Sequence, residues 1–243
     1  MTTTTTKTGD IKANNPMVDK MFKAGAHFGF SRTRRHPTVT PYIFGAKNKV
    51  EIFDLEKTSE LLKTAQAFIA SLAKEGKAVL FVGGKSEARN AIKSAALSVN
   101  MPYVDGRWIG GTLTNFVQIR KRVEKMEKLV SEKEKGELAK YTKKERLLID
   151  REIANLERFF SGIVSMKDLP KALFVVDPKK EKNAVKEAQD MGIPVIALLG
   201  SDCNLKEIDY AIVGNDSSQA SVQFFVHEIT KAYSEAKAEI KKA

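Results

Sequence analysis

The sequence predicts an α/β protein: a doubly wound parallel sheet of about five strands, interrupted by an inserted antiparallel coiled-coil helical hairpin. Three observations predict it. KAVLFVGG, Leu173–Val176 and Ile193–Leu199 are continuous apolar runs, as strands covered on both faces require. Amphipathic helical stretches alternate with these runs, the rhythm of a parallel sheet. Between the two halves of that pattern lie two heptad seams. Phe116, Ile119, Val123, Met126 and Val130 recur at spacings of 3, 4, 3 and 4, and Ile149, Ile153, Leu156, Phe160 and Ile163 at 4, 3, 4 and 3. The mean of about 3.5 residues is that of a coiled coil.

The seams are joined by EKEKGELAKYT, which is charged and broken by Gly136. With so short a link, the two apolar stripes can meet only if the helices fold back antiparallel. Their other faces are dense in charge, from Arg120, Lys121, Arg122 and Glu124 through Lys143, Lys144, Glu145 and Arg146. A projecting charged hairpin suits contact with a partner rather than a pocket, and it is expected to cross no seam with the strands. The predicted organisation is a tail at 1–15, a discontinuous α/β domain of 16–113 and 165–238, the hairpin at 114–164, and a second tail at 239–243.

Along the chain, Pro16 opens a short amphipathic helix that Gly25 stops. The next segment, GAHFGFSRTRRHPTVTPYIFGAKNKVEIF, is too rich in Gly and Pro for a helix. It reads as an ordered loop, held extended by Pro37 and Pro41, that leads into strands around Tyr42–Phe44 and Val50–Phe53. Its aromatics, Phe28, Phe30, Tyr42 and Phe44, are expected to pack inward. Its cations Arg32, Arg34, Arg35, Lys47 and Lys49 are expected to neutralise RNA phosphates. Helices follow over residues 55–76, Ser86–Asn100, Lys180–Met191 and Gln219–Ala238, with a further strand in AIVGND. The whole resembles the flavodoxin-like arrangement.

Charge narrows the function. The 243 residues carry 41 Lys or Arg against 30 Asp or Glu, a net +11. Residues 1–50 hold nine of the cations against only Asp10 and Asp19, so +7 sits in about a fifth of the chain. Such a local excess favours a polyanion, nucleic acid before membrane, and no apolar run approaches the ~18–20 residues that span a bilayer. Cys203 is the only cysteine, which excludes an internal disulfide and fits a reducing cytosol.

Motifs for catalysis are missing. Gly84-Lys85-Ser86 imitates the end of a phosphate-binding Walker loop, but Val79 stands where its first glycine belongs, and the dinucleotide fingerprint is also absent. A helix N-terminus there still favours an anion, so Lys85 is a candidate for holding an RNA phosphate. His27, His36 and His227 lie in unrelated contexts, and no cofactor or metal is expected. Asp177, Asp202 and Asp216 fall near strand ends, where this fold places ligands. A nucleotide-dependent enzyme and a free RNA-binding adaptor are the competing classes.

GAHFG, YIFGAKNKVEIFDLEKT, LFVGGK, DGRWIGGTLTNF, LPKALFVVDPKKEKNAVKEAQDMGIPVIAL and VGNDSS occur in this order. Together they resemble the bacterial type of ribosomal protein two of the small subunit over about residues 16–235. The resemblance implies a structural role without a reaction and a place between the head and body of the subunit. It also implies contacts to rRNA and neighbouring ribosomal proteins, and help in recruiting the messenger-capturing ribosomal protein one. By matching position it implies RNA-facing roles for His27, Arg32, Arg34, Arg35, Lys47, Asn48, Lys49 and Arg107. Phe30 stands where the family usually has a second histidine.

Overall fold

The structure is a computed structural model that describes residues 16–240; segments 1–15 and 241–243, both within the expected tails, lie outside the described residues. Helix α1 (Pro16–Lys23) ends before Gly25, whose φ of 71° suits a residue without a Cβ. Strand β1 (Phe28–Ser31) follows, then short 3-10 turns at Arg32–Arg34 and Pro37–Tyr42, and strands β2 (Ile43–Lys47) and β3 (Val50–Phe53). They pair antiparallel in the order β1-β3-β2. The two expected strands are present as β2 and β3, and β1 joins them from the part expected as loop. Pro37 and Pro41 do not hold an extended chain: both lie in a 3-10 turn, whose φ proline already favours, with His36 as its cap. Phe28 and Phe44, expected to pack inward, face outward instead, Phe44 with 80% of its surface exposed. In a sheet with one covered face, the alternate residues must point to the other.

Helix α2 (Leu55–Lys74) is capped by Asp54, whose side chain accepts from the Glu56 amide. It is followed by β4 (Val79–Val82), α3 (Ser86–Val99) and the two-residue β5 (Tyr103–Val104). Helices α4 (Phe116–Glu134) and α5 (Lys143–Phe160) come next, and then β6 (Ala172–Val176), α6 (Lys182–Asp190), β7 (Val195–Leu199), β8 (Tyr210–Val213) and α7 (Gln219–Ile240). Helix α7 runs two residues past the expected end of the domain at 238. The sheet is parallel in the order β5-β4-β6-β7-β8, so its first strand is second from one edge, as in flavodoxin-like folds.

Period-two alternation divides the core. Phe81, Phe174, Ile196 and Ile212 meet α2, α3 and α7 on one face. Leu80, Leu173, Val175, Ala197 and Val213 meet α6 and residues of the small sheet on the other. Because both faces are covered, the central strands are buried at every position, which is why they read as unbroken apolar runs.

Helices α4 and α5 run antiparallel, with ion pairs between Lys125 and Glu152 and between Lys133 and Asp150. A capping box of Thr142 and Glu145 starts α5. The expectation that this segment crosses no seam with the strands fails at its root. Ile119, Val123, Met126, Phe160 and Ile163 belong to the same buried cluster as Leu80 and Val175. A Cβ on Gly162 would lie 2.1 Å from the Tyr103 carbonyl oxygen, so the returning chain presses directly on β5.

Candidate nucleic-acid interface

Register builds the first basic surface. Lys47 lies opposite Val50 across the β2–β3 pair, and Ser31 lies opposite Val50 across β1–β3. The turn that begins at Arg32 therefore starts at the same end of the sheet as Lys47, Asn48 and Lys49. Asn48 and Lys49 have φ values of 52° and 67°, the pair of positive angles that a two-residue hairpin matched to strand twist requires. The side chains of Arg32, Arg34, Lys47, Asn48 and Lys49 are exposed. Arg34 stacks over the Phe30 ring at 5.7 Å, which holds its guanidinium outward.

The other two candidates of this segment serve the fold. Arg35 Nη1 donates to Glu51 Oε1 at 3.1 Å, and Glu51 is only 1% exposed. Arg35, expected to neutralise an RNA phosphate, is engaged in that pair instead: β3 turns Glu51 toward the core, and its charge requires a counterion. His27 lies between Phe22, at 4.4 Å and nearly parallel, and Phe28, at 4.0 Å. Burial pushes its imidazole below the ordinary value, so it is neutral near pH 7 rather than a cation for phosphate.

A second constellation lies at the carboxyl ends of the parallel strands. Lys85 Nζ is 3.2 Å from Asp177 Oδ2 and 3.3 Å from Asp216 Oδ2. The two aspartates noted near strand ends thus receive a cation from the protein's own chain. Burial opposes the charge on Lys85, but Asp216 and Asp177 outweigh it and hold its pKa above the ordinary value. Asp216 is pushed up to about 6 by burial, with Lys85 opposing and Asp177 adding. Asp177 sits at φ 62°, a left-handed conformation that costs a non-glycine residue about 1–2 kcal/mol. Its Oδ1 accepts from the Lys180 amide, which steadies the turn. Asp202 instead pairs with Lys179 at 2.7 Å. Cys203 is buried, and burial followed by Asp202 pushes its thiol up to about 12. Among the described residues, no group of three or more potential metal ligands converges.

Arg107 is exposed and opens onto a third feature, a cavity of about 550 Å³. Arg89, Lys93, Arg158 and Lys180 line it too, together with Asp105, Glu157 and Glu181. The neighbouring Trp108 also lines it, but its indole is held in the fold. It is 6% exposed, and its Nε1 donates to Glu187 Oε1 at 2.9 Å. The same carboxylate accepts from the amides of Gly111, Leu113 and Thr114, so one side chain of α6 fastens the RWIGGTLTN loop.

Sequence reasoning placed the cations of the small sheet together but missed two groupings. Arg89 and Lys93 are one turn apart on α3, but Arg158 at the end of α5 and Lys180 before α6 are far along the chain, so no spacing marks the group. Glu187 looks like any solvated helix residue; only the many amides of the glycine-rich loop, each needing an acceptor, hinted at such a partner.

The chain matches the family model described as ribosomal protein S2 over residues 21–236. It is 43% identical over 218 residues to small ribosomal subunit protein uS2 of Sulfurimonas denitrificans, covering 90% of this chain and 84% of that protein. The same protein of Nitratiruptor is 43% identical over 218 residues, with coverage of 89% and 81%. That of Chlorobium chlorochromatii is 44% identical over 212 residues, with coverage of 87% and 84%.

Proposed function

The chain belongs to the ribosomal protein S2 family, structural and non-enzymatic components of the small ribosomal subunit, and on that premise we propose that the β1–β3 sheet docks on ribosomal RNA. The observation that carries this reading is the convergence of Arg32, Arg34, Lys47, Asn48 and Lys49 at one end of that sheet. None of the four cations in this group forms a salt bridge among the described residues, so their charge is available to phosphate. Arginine suits the task because its planar fork binds two phosphate oxygens at once. Arg107 adds a second exposed contact. His27, Arg35 and Lys85 support the surface from within, since each is held by neighbours in the fold.

Helices α4 and α5 are assigned to neighbouring ribosomal proteins. Val117, Leu147 and Leu148 are exposed apolar side chains on this pair, amid charge, which suits a protein surface better than RNA. Recruitment of the messenger-capturing ribosomal protein one is assigned to the same protein-facing side of the molecule, following the family resemblance.

Sedimentation tests the RNA reading. The wild-type chain should travel with small subunits reconstituted from rRNA and the other proteins, whereas Arg32→Ser with Arg34→Ser should be depleted from them at moderate salt. Equal incorporation of the two would remove the small sheet from the interface.

A further inference from the structure

The cavity beside Arg107 stands apart from the small sheet. It is lined by the segments that follow β4 and β5 (Gly84; Asp105 to Trp108), by the residues before α6 (Lys180, Glu181), by α3 (Arg89, Lys93), and by the end of α5 (Glu157 to Phe159). It therefore lies at the carboxyl ends of β4, β5 and β6, where the strand order reverses, which is the crevice in which doubly wound sheets take ligands. Its volume, about 550 Å³, falls within the range of small-molecule sites.

Charge gives the cavity its chemistry. Arg89, Lys93, Arg107, Arg158 and Lys180 bring five cations, against the three carboxyls of Asp105, Glu157 and Glu181. All five cations are exposed, and none forms a salt bridge among the described residues. Arg89 is aimed by its Nε, which donates to the Asp105 carbonyl oxygen at 2.8 Å. Arg158 lies over the Phe159 ring at 5.5 Å. Glu181 is only 6% exposed, and burial raises its pKa, which lessens its repulsion of an anion. The wall behind these side chains is built tightly. A Cβ on Gly84 would lie 2.5 Å from the Gly106 carbonyl oxygen and 2.6 Å from Glu181 Oε1, so glycine is required for the segments after β4 and β5 to close together.

We propose that this cavity is a phosphoryl-binding site, filled by a phosphate-bearing anion gripped by Arg107 and Arg158 across the mouth, with Arg89, Lys93 and Lys180 around it. Unlike a Walker loop, it relies on side-chain cations rather than on backbone amides, so the absence of a glycine-rich motif does not count against it. The anion can come from a free phosphorylated small molecule or from a phosphate of RNA, and the chemistry of capture is the same.

Trp108, the only tryptophan, lines the cavity and reports on it by fluorescence. The full chain is titrated with inorganic pyrophosphate at constant ionic strength, with calorimetry as a second readout. A saturable response is expected. Arg107→Ser with Arg158→Ser should weaken it about tenfold or more, the loss expected when charge-assisted hydrogen bonds are removed. Lys63→Ser, an exposed change on α2 and outside the cavity, should leave it intact. A short oligouridylate that displaces pyrophosphate identifies RNA as a source; failure to displace identifies a free phosphorylated ligand. No saturable response, or an equal response in the double variant, overturns the proposal. Since the titration with pyrophosphate involves no RNA, that failure leaves docking of the β1–β3 sheet on rRNA untouched.

Discussion

Trp108 and Glu187 lie 79 residues apart in sequence and are joined by a hydrogen bond of 2.9 Å from the indole Nε1 to Oε1. That bond, with the three amides that share the carboxylate, turns a glycine-rich loop into a fixed platform from which α4 departs. Trp108→Ala should cost about 3–5 kcal/mol as a truncated buried aromatic. Glu187→Gln should cost about 1–3 kcal/mol, because an amide cannot accept on both sides of the group. Burial of Glu187 opposes its charge, but the bonds from Trp108, Leu113, Gly111 and Thr114 prevail and lower its pKa. A depressed carboxyl stabilises the fold above its unfolded pKa of about 4.3 and ceases to do so as pH falls through the folded value. Denaturant melts of the wild type and Glu187→Gln should therefore begin to converge as pH falls below about 4.3. A constant gap across that range would mean that the carboxylate charge is irrelevant to the loop.

Lys85 should matter more for stability than for RNA. Lys85→Met leaves Asp177 and Asp216 facing each other without their cation, a change of about 3 kcal/mol for a largely buried network. The pH dependence has the opposite sign to that of Glu187. Asp216, pushed up to about 6, contributes stability that is present at low pH and lost as pH rises through that value. Lowering the pH from about 7.5 to about 4.5 should therefore favour the wild type over Asp216→Asn. Chemical denaturation at several pH values measures this difference, and an unchanged gap refutes the raised pKa.

The arginines of the small sheet should divide into two classes. Arg32→Ser with Arg34→Ser should leave the melting temperature within the small range of surface changes. It should also flatten the plot of log affinity for rRNA against log salt by about 1.5 units, at 0.7–0.9 per phosphate contact. Arg35→Ser should instead lower thermal stability, since it leaves the buried Glu51 without its ion pair. If all three substitutions behaved alike, the division by burial would be mistaken.

The helical pair is proposed as a module only in its distal part. Replacing residues 129–149 with a short glycine link should leave cooperative unfolding of the remainder, because the buried residues Ile119, Val123, Met126, Ile153 and Phe160 are retained. Removing the whole of 114–164 should abolish cooperativity, since it strips Ile163 and the Gly162–Tyr103 contact from the sheet. Calorimetry of the two deletions distinguishes them.

Elements governed by local chemistry were legible in the sequence. Val79–Val82 and Ala172–Val176 read as buried strands because a parallel sheet covered on both faces needs apolar residues throughout. Ile119, Val123 and Met126 announced their buried face by spacing alone. The basic end of the small sheet was legible as composition, since charge density survives any fold. The tertiary structure alone decided what each charge does. Arg34 and Arg35 are neighbours at the end of one 3-10 turn, yet one faces solvent and the other neutralises Glu51, because the turn sets Arg35 beside the buried carboxylate of β3. Lys85 met Asp177 and Asp216 only when strand order brought the strand ends together, and Arg107 and Arg158 came to line one cavity only in the folded chain. Electrostatic interaction follows distance through space, and sequence separation carries no information about it.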